Sequence, residues 1–233
     1  DYRNFPKIEL HLHLDCSLSF EVAQQIRPGL TRKEYQESFI APPKCTDLAD
    51  YISRAVKGFE LMQTPEQLRL VTLDLFRQLQ QDRVVYAEIR FAPLLHTQQG
   101  LDPADVVEAV LAATREGIEM SGVEARLILC TLRRFDAQQS LDTARLVERY
   151  RGTLVAGLDI AGDEAGYPID NHVKAFEFAR SLGIPCTAHA GEARGADSVW
   201  ETLRVLRPQR IGHGVRSIED RRLLSFLRDT GIH

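Results

Sequence analysis

Hydrophobic and polar positions along the 233-residue chain fall into two alternating rhythms. Short β-branched or aliphatic runs, at Lys7 to Leu12, Val84 to Phe91, Ala125 to Cys130, Leu154 to Ile160, Ile184 to Ala188 and Arg210 to Gly212, read as strands. Each is followed by a longer stretch with apolar residues at helical spacing: Pro65 to Gln81, Pro103 to Ser121, Ser140 to Tyr150, Ile169 to Leu182, Ser198 to Leu206 and Ser217 to Thr230. Thr64-Pro65-Glu66, Asp102-Pro103 and Ser217 are suited to open helices, and Gly122, Gly183 and Gly231 to close them in a left-handed cap. Repeated β-then-α units predict an α/β protein with a parallel sheet. Six of them fit a doubly wound sheet, or equally a (β/α)8 TIM-type barrel truncated after about six β/α units. The stretch from Phe20 to Met62 breaks the rhythm as a partly helical insertion after the first strand, which in a barrel would overhang the C-terminal mouth.

Residues 1–233, at 44% hydrophobic and 27% charged, suit a single domain with a substantial core. A formal charge of −4 supplies no basic surplus for a phosphate backbone, and the arginines and lysines are interspersed with acids, so no nucleic-acid partner is expected. Cys16, Cys45, Cys130 and Cys186 stand far apart with no CxxC pair, which argues against a zinc ribbon or a disulfide framework and suits a reducing, cytoplasmic setting. No apolar run approaches the roughly 20 residues that span a bilayer, and the start Asp1-Tyr2-Arg3-Asn4 has no secretory segment, so no membrane partner is expected. The chain stops at Gly231-Ile232-His233 where a new strand begins, and the natural protein is expected to continue.

Four strand ends carry the chemistry. Alternation in the first strand puts His11 and His13 on one face, about 7 Å apart along it, with Asp15 joining them if the strand persists. After the strand at Ile184 comes His189-Ala190-Gly191-Glu192, whose small residues leave room for a ligand. His213 follows the next strand between two glycines, and Asp159, Gly162, Asp163 and Glu164 close the strand before, where a helix-capping turn is an equal reading. His11, His13 and His189 supply three imidazole nitrogens, and a carboxylate and a water would complete a catalytic Zn2+ site that acidifies the water. His213 is then suited to be the base or electrostatic orienter, and Glu192 the acid, its carboxyl kept protonated by burial or a neighbouring anion.

In this order, Pro6 to Asp15, Tyr86 to Pro93, Leu158 to Glu164, His189 to Glu192 and Ile211 to Gly214 resemble the adenosine deaminase family of the amidohydrolase superfamily, in its bacterial form. The resemblance implies a (β/α)8 barrel with one Zn2+ on His11, His13, His189 and an aspartate. Water would attack C6 of the purine and ammonia leave. Glu192 would protonate the adjacent ring nitrogen, and His213 would orient or deprotonate the water. Gly162 would donate its amide to another ring nitrogen, while Asp15 and the His13 region would face the ribose. Cys16 stands where the family commonly has Gly, and nothing in residues 214–233 matches the family's Ser-x-x-Asp-Asp signature; Asp220 and Asp229 read as surface residues.

The expected partner is a small purine nucleoside. An acid at Asp15 suits a free 5′-hydroxyl and repels a 5′-phosphate, favouring adenosine or 2′-deoxyadenosine over adenine or a nucleotide. Deamination of adenine or another adenosine-containing metabolite, and amide cleavage by a different amidohydrolase, remain alternatives, although Leu158 to Gly162 lacks the lysine that bridges two metals in those relatives. Leu48, Tyr51, Ile52, Val56, Phe59 and Met62 read as an apolar lid or as a helix packed on the barrel rim.

Overall fold

The computed structural model describes residues 4–233; Asp1, Tyr2 and Arg3, part of the start read above as lacking a secretory segment, lie outside the described residues. The backbone sorts into two compact units. One takes the chain through Thr46 together with Asp50–Ile128, and the other takes Asp47–Ala49 and Leu129–His233.

The first unit contains β1 (Lys7–His13), α1 (Phe20–Ile26), α2 (Arg32–Ser38), most of α3 (Leu48–Glu60), α4 (Pro65–Gln81), β2 (Val84–Phe91), α5 (Pro103–Ser121) and the start of β3 (Glu124–Leu132). The strands run in the order β1, β2, β3, and β1 pairs with β2 in parallel from Lys7 opposite Val84 to His13 opposite Arg90. The register shifts between Lys7 and Ile8 and again between Glu9 and Leu12, the second shift spanning His11 and ending just before His13. Helices α4 and α5 begin and end where the residue pattern placed them. Thr64 and Gln67 form a reciprocal capping box with Pro65 in the first turn, and Asp102 accepts from the Ala104 amide ahead of Pro103. Leu68, Val71 and Phe76 of α4 and Val106, Val107 and Val110 of α5 are fully buried. The two helices meet at Gly117, where a β-carbon would lie 2.3 Å from the Phe76 ring, so only glycine lets the aromatic side chain lie against the helix.

The second unit contains the end of β3, α6 (Ala137–Arg149), β4 (Val155–Ala161), α7 (Val173–Ser181), β5 (Thr187–Ala190), α8 (Ala196–Val205), β6 (Arg210–His213) and α9 (Arg221–Thr230). β4 neighbours β3, a parallel bridge between Leu158 and Cys186 joins it to the chain entering β5, and β5 pairs in parallel with β6, His189 opposite Gly212 and Ala190 opposite His213. The ends of β4, β5 and β6 therefore lie side by side. Beside β5 and β6, Ala190, Ala196, Val199, Leu203 and Leu223 form a core onto which Trp200, Ile211, Leu227 and Ile232 pack. The Ile211 amide donates to the His233 carbonyl at 2.7 Å.

Several boundaries differ from those the sequence suggested; α7, for one, begins at Val173 rather than Ile169, after the 3-10 turn Asp170–His172. β5 begins at Thr187 rather than Ile184: Pro185 has no N–H to give a ladder, although its carbonyl accepts from Leu158 at 3.0 Å. α6 starts at Ala137 because Asp136 and Gln139 form a second capping box. α9 starts at Arg221, capped by Asp220, and Ser217 is buried inside a preceding 3-10 turn, Val215–Glu219. Among the described residues no helix is long and apolar enough to cross a membrane.

Candidate active site

In the first unit the two histidines of β1 come together. The shift in register turns the strand end, so the His11 and His13 rings are 5.3 Å apart, nearer than an even strand would hold them, and their Nε2 atoms are 3.4 Å apart. Two imidazole nitrogens that close repel one another if both rings are charged, and they suit a shared cation when both are neutral.

Asp15 does not extend that face. β1 ends at His13, and Asp15 lies in a 3-10 turn, Leu14–Cys16, with its carboxylate largely buried. One oxygen meets His96 Nε2 at 2.8 Å and the other accepts from the Ala92 amide at 3.3 Å. His96 is fully buried, and its Nδ1 donates to the Met62 carbonyl at 2.9 Å, so the ring is oriented from both sides. The sequence reading missed His96. Helix α3 packs closely beside this turn: a β-carbon at Gly58 would lie 2.6 Å from the Asp15 carbonyl. Phe59, in the last turn of α3, and Met62 just beyond it are buried, whereas Tyr51 is exposed.

The second unit gathers the remaining candidates. His189, on β5, is nearly buried; its Nδ1 lies 3.1 Å from Asp159 Oδ2 and 3.2 Å from Oδ1. A proton on Nδ1 shared with that carboxylate puts the lone pair of the neutral ring on Nε2. Arg133, also buried, donates from Nη2 to the His189 carbonyl at 3.0 Å, so ring and backbone are both held.

Glu192 lies just past β5 and His213 ends β6. Pairing of the two strands brings His213 Nε2 to 3.3 Å from Glu192 Oε2 and its ring to 5.1 Å from that of His189. Burial pushes the Glu192 carboxyl above the ordinary carboxylate range; His189 opposes the rise and the Glu164 anion adds to it. His213 has φ 62°, a left-handed conformation unusual for a residue other than Gly, Asn or Asp, and Gly214 follows with φ 57°. Gly191 has φ 71°, and a β-carbon there would meet Val199 at 2.7 Å, so the turn between His189 and Glu192 requires glycine.

The acids in and just after the end of β4 divide three ways. Asp159 holds His189. Asp163 accepts from the Ala165 and Gly166 amides in a local turn, but this is not the helix cap the sequence offered as its alternative: the next helical element is the 3-10 turn Asp170–His172. Glu164 is buried and takes the amides of residues 191–194, a role that sequence reasoning did not find. Gly162 sits between them with φ 98°, a backbone conformation that favours glycine. Asp220 and Asp229 are surface residues with structural partners: Asp220 accepts from Trp200 Nε1 at 2.9 Å and Asp229 pairs with Arg228.

Parallel β/α units with imidazoles and carboxylates collected at strand C-termini define the class of β/α hydrolases that work with a metal ion. Within that class the chain belongs to the adenosine deaminase family, whose family model, "Adenosine deaminase", matches residues 6–233. Adenosine deaminase of Clostridium acetobutylicum is 34% identical over 96% of this chain and 69% of its own length. That of Haemophilus ducreyi is 38% identical over 95% of this chain and 68% of its own. Among solved structures, adenine deaminase from Arthrobacter aurescens covers 97% of this chain and 70% of its own at 26% identity, with a TM-score of 0.86. A zinc-bound amidohydrolase from Burkholderia ambifaria covers 99% of this chain and 65% of its own at 24% identity, with a TM-score of 0.87, and shares the fold.

Proposed function

We propose that residues 1–233 belong to one hydrolase barrel domain of an enzyme that converts adenosine and water, or 2′-deoxyadenosine and water, to inosine or 2′-deoxyinosine and ammonia. The observation that carries this reading is the Glu192–His213 pair, 3.3 Å apart at the ends of adjacent strands, with the Glu192 carboxyl shifted toward its protonated form. Opening the purine C6 to water requires a proton delivered to the neighbouring ring nitrogen and another taken from the water, and an acid beside an imidazole supplies both transfers. Glu192 holds the first proton. His213 takes or steadies the second.

His11, His13 and His189 each offer one ligand atom, and three neutral imidazoles, one oriented by a buried carboxylate, fit Zn2+. Bound there, with an aspartate as the further ligand the family uses, the ion would supply a Lewis acid that acidifies a water. The other residues position the nucleoside. The Gly162 amide donates to a second ring nitrogen. Asp15, oriented by His96, and the neighbourhood of His13 face the ribose, where an acid accepts from a 5′-hydroxyl and repels a 5′-phosphate. Four cysteines that form no disulfide suit a cytoplasmic enzyme.

The adenine deaminase among the structural relatives makes adenine the alternative substrate worth testing. The test follows purine ultraviolet absorbance as adenosine, 2′-deoxyadenosine, adenine and AMP are offered to the intact natural protein. Turnover of the two nucleosides, with adenine and AMP at least about 100-fold poorer in kcat/KM, a difference near 2.7 kcal/mol at the transition state, is the expected result. Preference for adenine or AMP would overturn the substrate assignment.

A further inference from the structure

A turn with several consecutive amide N–H groups pointing one way makes a binding place for an anion. In this protein the anion is internal. Glu164, 2% exposed, places its carboxylate where Oε1 accepts from the Gly191 amide at 2.7 Å and from Ser198 Oγ at 2.6 Å. Its Oε2 accepts from the amides of Glu192 at 3.0 Å, Ala193 at 2.6 Å and Arg194 at 3.0 Å. Five donors on one carboxylate are far more than a surface turn needs, and they explain why a charge is tolerated at such depth. Burial by itself would push the Glu164 carboxyl up, but the bonds from Ser198, Arg194, Gly191 and Ala193 outweigh it and hold it below the ordinary range.

We propose that Glu164 is a positioning residue for the reaction: its carboxylate gathers the amides of Gly191 through Arg194 and thereby fixes where the Glu192 side chain can deliver its proton. The inference rests on the reading of Glu192 as the proton donor. Glu192 stands in the middle of the clasped segment, with the left-handed Gly191 on one side and α8 on the other, and Ser198 ties that helix to the same carboxylate. A donor must sit within hydrogen-bonding reach of the ring nitrogen, and a misplacement of about 1 Å costs on the order of 100-fold. The groups assigned to nucleoside binding, Gly162, Asp15 and His13, are not among the five donors to the Glu164 carboxylate, so loosening the 191–194 turn lowers kcat far more than it raises KM.

The test is steady-state kinetics on the intact natural protein carrying Glu164→Gln, Glu164→Asp or Glu192→Gln, with zinc content and circular dichroism measured alongside. Glu164→Gln keeps the size but turns an NH2 toward N–H donors. Glu164→Asp keeps the charge on a side chain about 1.5 Å shorter, so a folded variant remains if the amide variant does not fold. The expected result is a loss in kcat of about 100-fold for Glu164→Gln and at least about tenfold for Glu164→Asp, with KM for adenosine within about threefold and zinc content unchanged. A folded Glu164 variant with wild-type kcat beside an inactive Glu192→Gln would overturn the positioning role alone, as would a loss confined to KM. Wild-type kcat in Glu192→Gln would overturn the proton-donor reading and this inference with it.

Discussion

Glu192→Gln is expected to lower kcat for adenosine by about a thousandfold, within the range a positioned general acid contributes, while leaving zinc content at the wild-type level. The substitution keeps volume and shape and removes only the exchangeable carboxyl proton. The environment shows what favours the protonated form. Burial disfavours the carboxylate most strongly; His189 opposes that rise, and the Glu164 anion clasping the same turn adds a smaller push in the same direction as burial. His213, 3.3 Å away on the neighbouring strand, is left to deal with the water. Retention of wild-type kcat would remove Glu192 from the chemistry, and loss of zinc would move its role to holding the ion.

Asp159→Ala is expected to weaken zinc affinity by about 10- to 100-fold, measured by competition with a chromophoric chelator, and to leave an enzyme whose turnover returns in excess zinc. Asp159 is fully buried and has His189 Nδ1 within 3.2 Å of both carboxylate oxygens. Without it the imidazole loses the acceptor that fixes its tautomer and its orientation. Leaving a buried N–H unsatisfied also costs roughly 1–3 kcal/mol of stability, so a lowered Tm accompanies the weaker affinity. Unchanged affinity in a folded variant would show that the carboxylate does not orient a metal-binding ring.

Much of this architecture was legible in the residue pattern, for reasons that are local. Thr64-Pro65 with Gln67 and Asp102-Pro103 spell helix starts in their own backbone chemistry, and α4 and α5 begin there. The alternation in β1 likewise put His11 and His13 on one face. What the pattern did not give depends on partners remote in sequence. The pattern left open whether the strand persists to Asp15; the chain turns after His13 and the carboxylate meets His96, 81 residues on. Glu164 belonged to a string of acids of which Asp163 alone closes the local turn, and nothing in its surroundings signals a carboxylate aimed at backbone amides 27 to 30 residues later. The α9 start was misplaced because Ser217 and Asp220 are both acceptable caps, and only packing selects the second.

One ion held by three imidazoles is the centre of the proposed site. Anomalous scattering recorded at the zinc absorption edge from crystals of the intact natural protein tests it most directly. The expected result is a single strong peak bonded to nitrogen atoms of His11, His13 and His189. Rings that engage separate ions, or a protein of full activity with no zinc peak at these residues, would contradict it.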